Sequence, residues 1–120
     1  MKKVLVADDE EVLRMLITDT LEDLELDVHE ASDGQEALDL IYQHDFDLLV
    51  LDYMMPELTG LEVIEHVRSL EDKKDVLILM LTAKSQQADQ DTIMKKGANF
   101  FLAKPFSPNT LVERVQEILE

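Results

Sequence analysis

The sequence predicts an α/β domain: a doubly wound, five-stranded parallel sheet with helices on both faces. Three observations point there. Short apolar runs alternate with longer segments whose apolar residues recur at spacings of three and four, the period of an amphipathic helix. Two of the runs, DLLVL at 47–51 and VLILML at 76–81, are apolar enough to be strands buried on both faces. The chain has 120 residues, 46% of them hydrophobic, and no Cys, which suits one domain whose core needs no disulfide.

Each element has its own signal. Lys3–Ala7 (KVLVA) reads as a strand, and Glu11–Leu24 as a helix with apolar residues at 12, 13, 16, 17, 21 and 24. Asp27–Ala31 is a weaker strand, followed by a helix over Gly34–His44 with Ala37, Leu38, Ile41 and Tyr42 on one side. Asp47–Leu51 is a strand, and Leu58–Leu70 a helix with Leu61, Ile64 and Val67 at spacing three. Val76–Leu81 is the most hydrophobic segment and is expected at the centre of the sheet. Ala88–Lys96 is a poorer helix, with a thin stripe of Ala88, Ile93 and Met94, and Gly97 ends it as a C-cap would. Phe100–Ala103 is a short strand. Pro108–Leu119 is the last helix, with Ser107 as N-cap, Pro108 in its first turn and Leu111, Val112, Val115, Ile118 and Leu119 facing inward. Five β-α repeats imply right-handed crossovers. Residues 1–120 are expected to form a single domain.

Charge narrows the function. The formal net charge is −16, and residues 1–60 carry 17 acidic against 3 basic side chains. Most of these are expected to be a solvated acidic surface. Such a chain is a poor direct ligand for nucleic acid or an anionic membrane, both of which recruit Lys and Arg. The absence of Cys excludes Cys-ligated zinc and thiol catalysis. Met1-Lys2-Lys3 is followed by only a short apolar run before Asp8, too short for a signal peptide, and Val76–Leu81 is far short of the ~20 residues that span a bilayer. A cytoplasmic protein is expected. There is no GxGxxG or P-loop, so a nucleotide site is not expected. His29, His44 and His66 have no metal spacing and are expected at the surface. The methionines, Met54 and Met55 apart, are expected to fill the core. Gly60 should permit a tight approach in the loop after Asp52.

Ligands of open parallel α/β sheets bind at the carboxyl ends of the strands. Asp8, Asp9 and Glu10 follow the first strand, Asp52 the third, Thr82 the fourth and Lys104-Pro105 the fifth. Parallel strands bring all of these to one edge. Carboxylates so close raise one another's pKa values, and a divalent cation relieves the repulsion. Few protein ligands with positions left for water or phosphate oxygens favour Mg²⁺. A carboxylate beside Mg²⁺, a lysine and a threonine hydroxyl is suited to accept a phosphoryl group.

The order Asp8-Asp9, Asp52, Thr82-Ala83, Lys104-Pro105-Phe106 resembles the receiver domain of two-component response regulators, the CheY-like family. VLVADDE at 4–10, LLVLDYMMPELTG at 48–60 and GANFFLAKPF at 97–106 support the match, which covers the chain. The resemblance implies a flavodoxin-like fold with strand order 2-1-3-4-5. It implies that Asp52 is the phospho-acceptor and takes its phosphoryl group from a histidine kinase or phosphotransfer protein. Asp9, Asp52 and the backbone carbonyl of Met54 would ligate Mg²⁺, with Asp8 acting mostly through a metal-bound water. Lys104 would hold the phosphoryl group, Thr82 would move toward it, and Phe101 would be the switch aromatic. Lys104-Pro105 would be cis. The output face would comprise the Ala88–Lys96 helix, the Phe100–Ala103 strand and the last helix, with self-association through it as one use. Phe101 lacks the hydroxyl of the frequent Tyr, and Met54 and Lys84 occupy variable positions that affect phosphoryl lifetime. Such a protein is a signalling switch, catalysing only its own phosphorylation and dephosphorylation. A phosphatase of the haloacid dehalogenase type uses similar groups, but places a DxD nucleophile motif after the first strand and an acidic pair late, whereas here Asp8-Asp9 come first.

Overall fold

The computed structural model describes residues 1–83 and 87–120, and for residues 87–89 the backbone alone. The elements run β1 (Lys3–Ala7), α1 (Glu11–Glu22), β2 (Asp27–Ala31), α2 (Gly34–Gln43), β3 (Leu48–Asp52), α3 (Gly60–Ser69), β4 (Leu77–Thr82), α4 (Gln87–Lys96), β5 (Phe100–Ala103) and α5 (Pro108–Leu119). Among the described residues the strands form one parallel sheet in the order β2-β1-β3-β4-β5. This is the predicted order.

Strand alternation sorts the core into two layers. Leu5, Leu49, Leu51, Ile78 and Met80 face Ile41, Val63, Ile64 and Val67 of α2 and α3. Val4, Val6, Val50, Leu79 and Leu81 face Ile17 and Leu21 of α1 and Leu111 and Val115 of α5. Each fully buried Leu, Ile or Val contributes roughly 1.5–3 kcal/mol. The strands most apolar in sequence are therefore buried on both faces, and they hold the sheet centre rigid beneath the site.

Several element ends differ from the periodicity by one or two residues, each for a local reason. Helix α1 stops at Glu22 because the chain turns through Asp23 and Glu25, the latter at φ 60°. Asp47 leaves the β3 ladder: its N–H donates to the Lys3 carbonyl at 2.7 Å and its carboxylate accepts from the Lys3 N–H at 2.8 Å. Asp52 and Thr82 are instead the last residues of β3 and β4. Helix α3 begins at Gly60 because Thr59 caps it, its hydroxyl accepting from Glu62 N–H at 3.3 Å while Glu62 Oε1 accepts from Thr59 N–H at 3.1 Å. Ser107 caps α5 as expected, accepting from Thr110 N–H at 3.2 Å. Gly97 ends α4 at φ +124°.

Two expectations need correction. His29 and His44 are half-buried, their ring centroids 4.8 Å apart and each within 6 Å of Phe46. The Phe46 ring shields them, and only His66 is exposed as expected. Met80 and Met55 are buried, but Met1, Met15 and Met94 are exposed, Met15 because it lies on the outer face of α1.

Arg68, which no sequence signal singled out, ties α3 to the end of α4. Its guanidinium donates to Gly97 O at 2.6 and 3.0 Å, to the carbonyls of Lys74 and Val76 at 2.7 Å, and to Asn99 Oδ1 at 2.9 Å. Burial lowers its pKa, and the charge of Asp75 opposes that shift.

Candidate functional site

The register places the site. Ala7 pairs with Leu51, Asp52 with Leu81 and Thr82 with Ala103, so β1, β3, β4 and β5 end along one rim. Asp8 continues β1, its N–H donating to Ala31 O at 3.1 Å. Lys104 continues β5, its N–H donating to Thr82 O at 2.7 Å, and its bond to Pro105 is cis, as expected. Asp8, Asp52 and Thr82 are buried, while Asp9 is exposed.

Side chains from all four strand ends converge. Oxygens of Asp8, Asp9 and Asp52 lie within 4.8 Å of one another. Lys104 Nζ sits 3.1 Å from Asp52 Oδ1, 3.2 Å from Asp8 Oδ2 and 3.5 Å from Glu10 Oε1. The cleft above them, about 270 Å³, is lined also by Tyr53, Met54, Thr82 and Ala83. A larger groove, about 1140 Å³, lies at the opposite rim between α1, β2 and α5; Lys2, Glu22, Asp23, Glu25 and Asp27 line it beside Leu24, Leu26 and Leu119, but among the described residues only Asp8, Asp9 and Asp52 bring three carboxylates within 4.8 Å of one another. Among the described residues, the small cleft is where three carboxylates and a lysine come within contact of one another.

Asp8 is bonded at every polar atom: besides its N–H, its Oδ1 accepts from Glu10 N–H at 2.9 Å, its Oδ2 faces Lys104, and its carbonyl accepts from Arg14 Nη1 at 2.7 Å. Asp9 differs: among the described residues its carboxylate accepts no hydrogen bond.

The site is short of positive charge. Burial and the charge of Asp8 push the Asp52 carboxyl up from 3.8 to about 6, although Lys104 pulls it down. Lys104 is itself raised: burial disfavours its charge, but Asp52 and Asp8 outweigh that. Three carboxylates, those of Asp8 and Asp52 buried and that of Asp9 exposed, against one lysine leave excess negative charge, and hard oxygen donors at this spacing fit a Mg²⁺ ion.

The loop after β3 folds back over the acceptor strand. Gly60 N–H donates to Tyr53 O at 2.9 Å, and a Cβ on Gly60 would stand 2.5 Å from the Asp52 carbonyl oxygen. This is the tight approach expected of Gly60. Met54 lines the cleft with its side chain largely exposed. Phe101, on β5, is half-buried against the α2–α3 core layer rather than in the cleft. Lys84 lies outside the described residues. Sequence reasoning missed Arg14, although it is one of three basic residues in the acidic first half.

Known proteins agree with this geometry. The family model of the response regulator receiver domain matches residues 4–116. The chain is 37% identical over 117 residues to the transcriptional regulatory protein SrrA of Staphylococcus aureus, covering 98% of this chain and 47% of that one. It thus spans about half the length of the curated relatives it matches. Among solved structures, the chemotaxis response regulator CheY4 of Vibrio cholerae superposes with a TM-score of 0.94 at 36% identity, covering 98% of each chain. The receiver domain of a sensor histidine kinase from Pseudomonas aeruginosa, whose structure has a magnesium ion coordinated in the active site cleft, gives 0.88 at 28% identity over 99% of this chain and 98% of that one. Strand order, the acidic rim and the match along nearly the whole chain converge on one conclusion: the chain belongs to the response regulator receiver domain family, the signalling switches of two-component systems.

Proposed function

We propose that Asp52 is the phospho-acceptor of this receiver domain and that residues 1–120 work as one domain. The observation that carries the reading is the convergence of Asp52, Asp8, Asp9 and Lys104 on one cleft, with Asp52 at the end of a rigid central strand. With a pKa of about 6, Asp52 is ionised at neutral pH and can act as a nucleophile.

The donor is a phosphohistidine of a histidine kinase or phosphotransfer protein. An Asp52 carboxylate oxygen forms a bond to phosphorus as the P–N bond breaks, and the imidazole leaves with the electron pair. Lys104, already 3.1 Å from Asp52, holds the transferred group, and Thr82 at the end of β4 approaches it. Asp9, Asp52 and the Met54 carbonyl would hold Mg²⁺, with Asp8 contributing through an intervening water. When bound, the ion neutralises charge on the phosphoryl oxygens. Phe101 and Thr82 then couple the site to α4, β5 and α5, which form the output face and a surface for self-association. The same site hydrolyses the phosphoryl group, and the domain acts on no separate substrate. Nothing in the fold or the family match supports a haloacid dehalogenase-type phosphatase.

Among the described residues no helix is long and apolar enough to cross a membrane. We place the protein in the cytoplasm, where response regulators work, with any DNA binding assigned to another domain because of the −16 charge. The test is intact-mass analysis after incubation with Mg²⁺ and phosphoramidate, a small phosphodonor. A labile phosphoryl adduct is expected on the wild type and not on Asp52→Asn. An adduct of equal yield on Asp52→Asn would overturn the assignment.

A further inference from the structure

We propose that Arg14 is a positioning residue for the metal-binding carboxylates, acting through the backbone rather than by touching the ion. The inference rests on the metal reading above.

Asp9 is the most exposed member of the acidic trio, and no hydrogen bond among the described residues holds its carboxylate. With no such bond on the side chain, the place from which that carboxylate reaches toward Asp52 is set by its backbone. The peptide unit joining Asp8 to Asp9 begins with the Asp8 carbonyl, and that carbonyl accepts a 2.7 Å charge-assisted bond from Arg14 Nη1. Arg14 is fixed at its other edge, where Nε donates to Glu30 Oε1 at 3.1 Å. Its own N–H donates to Glu10 O at 2.9 Å, which anchors the first turn of α1. The guanidinium thus spans α1, the β1 end and the residue before Ala31, whose carbonyl binds Asp8 N–H. Asp8 is held from both sides, and the chain leaves it in one direction only.

The role is one of orientation. Without Arg14 the buried Asp8 carbonyl loses its donor, and the 8–9 peptide can rotate to find another. The Asp9 carboxylate would then sample positions away from Asp52. A fixed outer partner of this kind typically changes metal affinity 10–100-fold when removed. Lysine at position 14 keeps the charge but cannot bridge two acceptors with a planar fork, so it should restore affinity only in part.

The experiment is calorimetric titration of the 120-residue protein with Mg²⁺, paired with thermal melting in the absence of metal. Arg14→Met is expected to weaken Mg²⁺ binding about tenfold, and Arg14→Lys by less. Arg68→Met, which removes a comparable guanidinium–carbonyl clasp at the far end of α3, is expected to lower the melting temperature while leaving Mg²⁺ affinity unchanged. Equal affinity of wild type and Arg14→Met, or equal loss in the Arg14→Met and Arg68→Met proteins, would overturn the role of Arg14. If Arg14→Met does not fold, Arg14→Lys decides: weaker binding supports the proposal and wild-type affinity overturns it. A wild type that binds no Mg²⁺ would instead overturn the metal reading itself.

Discussion

At Asp52 the fold works against the charge that the proposed acceptor role needs. The carboxyl ionises near 3.8 in the unfolded chain and near 6 in the native one. Between those values the native state keeps a proton that the unfolded chain has released. Stability therefore falls as pH rises through this window, and the deficit is complete above pH 6. Asp52→Asn removes the penalty but also one partner of Lys104, so a net gain of about 2 kcal/mol is expected at pH 7. The gain should shrink below pH 6 and vanish below pH 4, as urea denaturation at several pH values will read. A second residue-scale constraint is Gly60, whose missing side chain makes room for the Asp52 carbonyl. Gly60→Ala forces the two backbones apart and should cost about 1–3 kcal/mol. Denaturant midpoints will show the loss, and a slower appearance of phosphorylated mass should accompany it. Asp8, Asp52, Thr82 and Lys104 were legible because charged and hydroxyl side chains directly after apolar runs are conspicuous. Arg14 was not, because a lone arginine on a helix gives no sign of which carbonyl it will reach.

The elements were legible to the extent that hydrophobic period governs them. Strands β1, β2 and β5 and helix α5 match the sequence reading end to end, whereas α1, α2, β3, α3, β4 and α4 shift by one or two residues. The shifts occur where polar groups decide. Asp47 turns to bond Lys3, and Thr59 and Glu62 cap α3 reciprocally. Both local patterns are written in the sequence, but apolar spacing does not weigh them. The capping box, with Thr59 as N-cap, starts α3 at Gly60, the glycine that backs Asp52. Thr59→Ala should cost about 1 kcal/mol and lower the thermal midpoint, with acceptor chemistry little changed. The far end of α3 depends on Arg68, a clasp formed with three carbonyls from two separate segments, Lys74 and Val76 before β4 and Gly97 after α4. Backbone acceptors of this kind leave no trace in residue types.

For the whole molecule, alternation of strands and helices predicted a parallel sheet, and the strand order followed from the family resemblance rather than from periodicity. The excess acidic charge has two separable consequences. A net charge of −16 repels itself, so NaCl added at low ionic strength should raise the melting temperature gradually. Mg²⁺ at ten times its dissociation constant should add about 1.4 kcal/mol, a shift of roughly 5 °C. Asp52→Asn should lose most of the Mg²⁺ increment and keep the NaCl effect, which differential scanning fluorimetry can separate. The contact between Lys104 and Asp8 joins residues 96 apart in the chain. A nascent polypeptide emerging from the ribosome therefore exposes its aspartates long before their lysine counterpart is synthesised. The proposed acceptor site therefore cannot close around Asp52 until the chain has been made as far as residue 104.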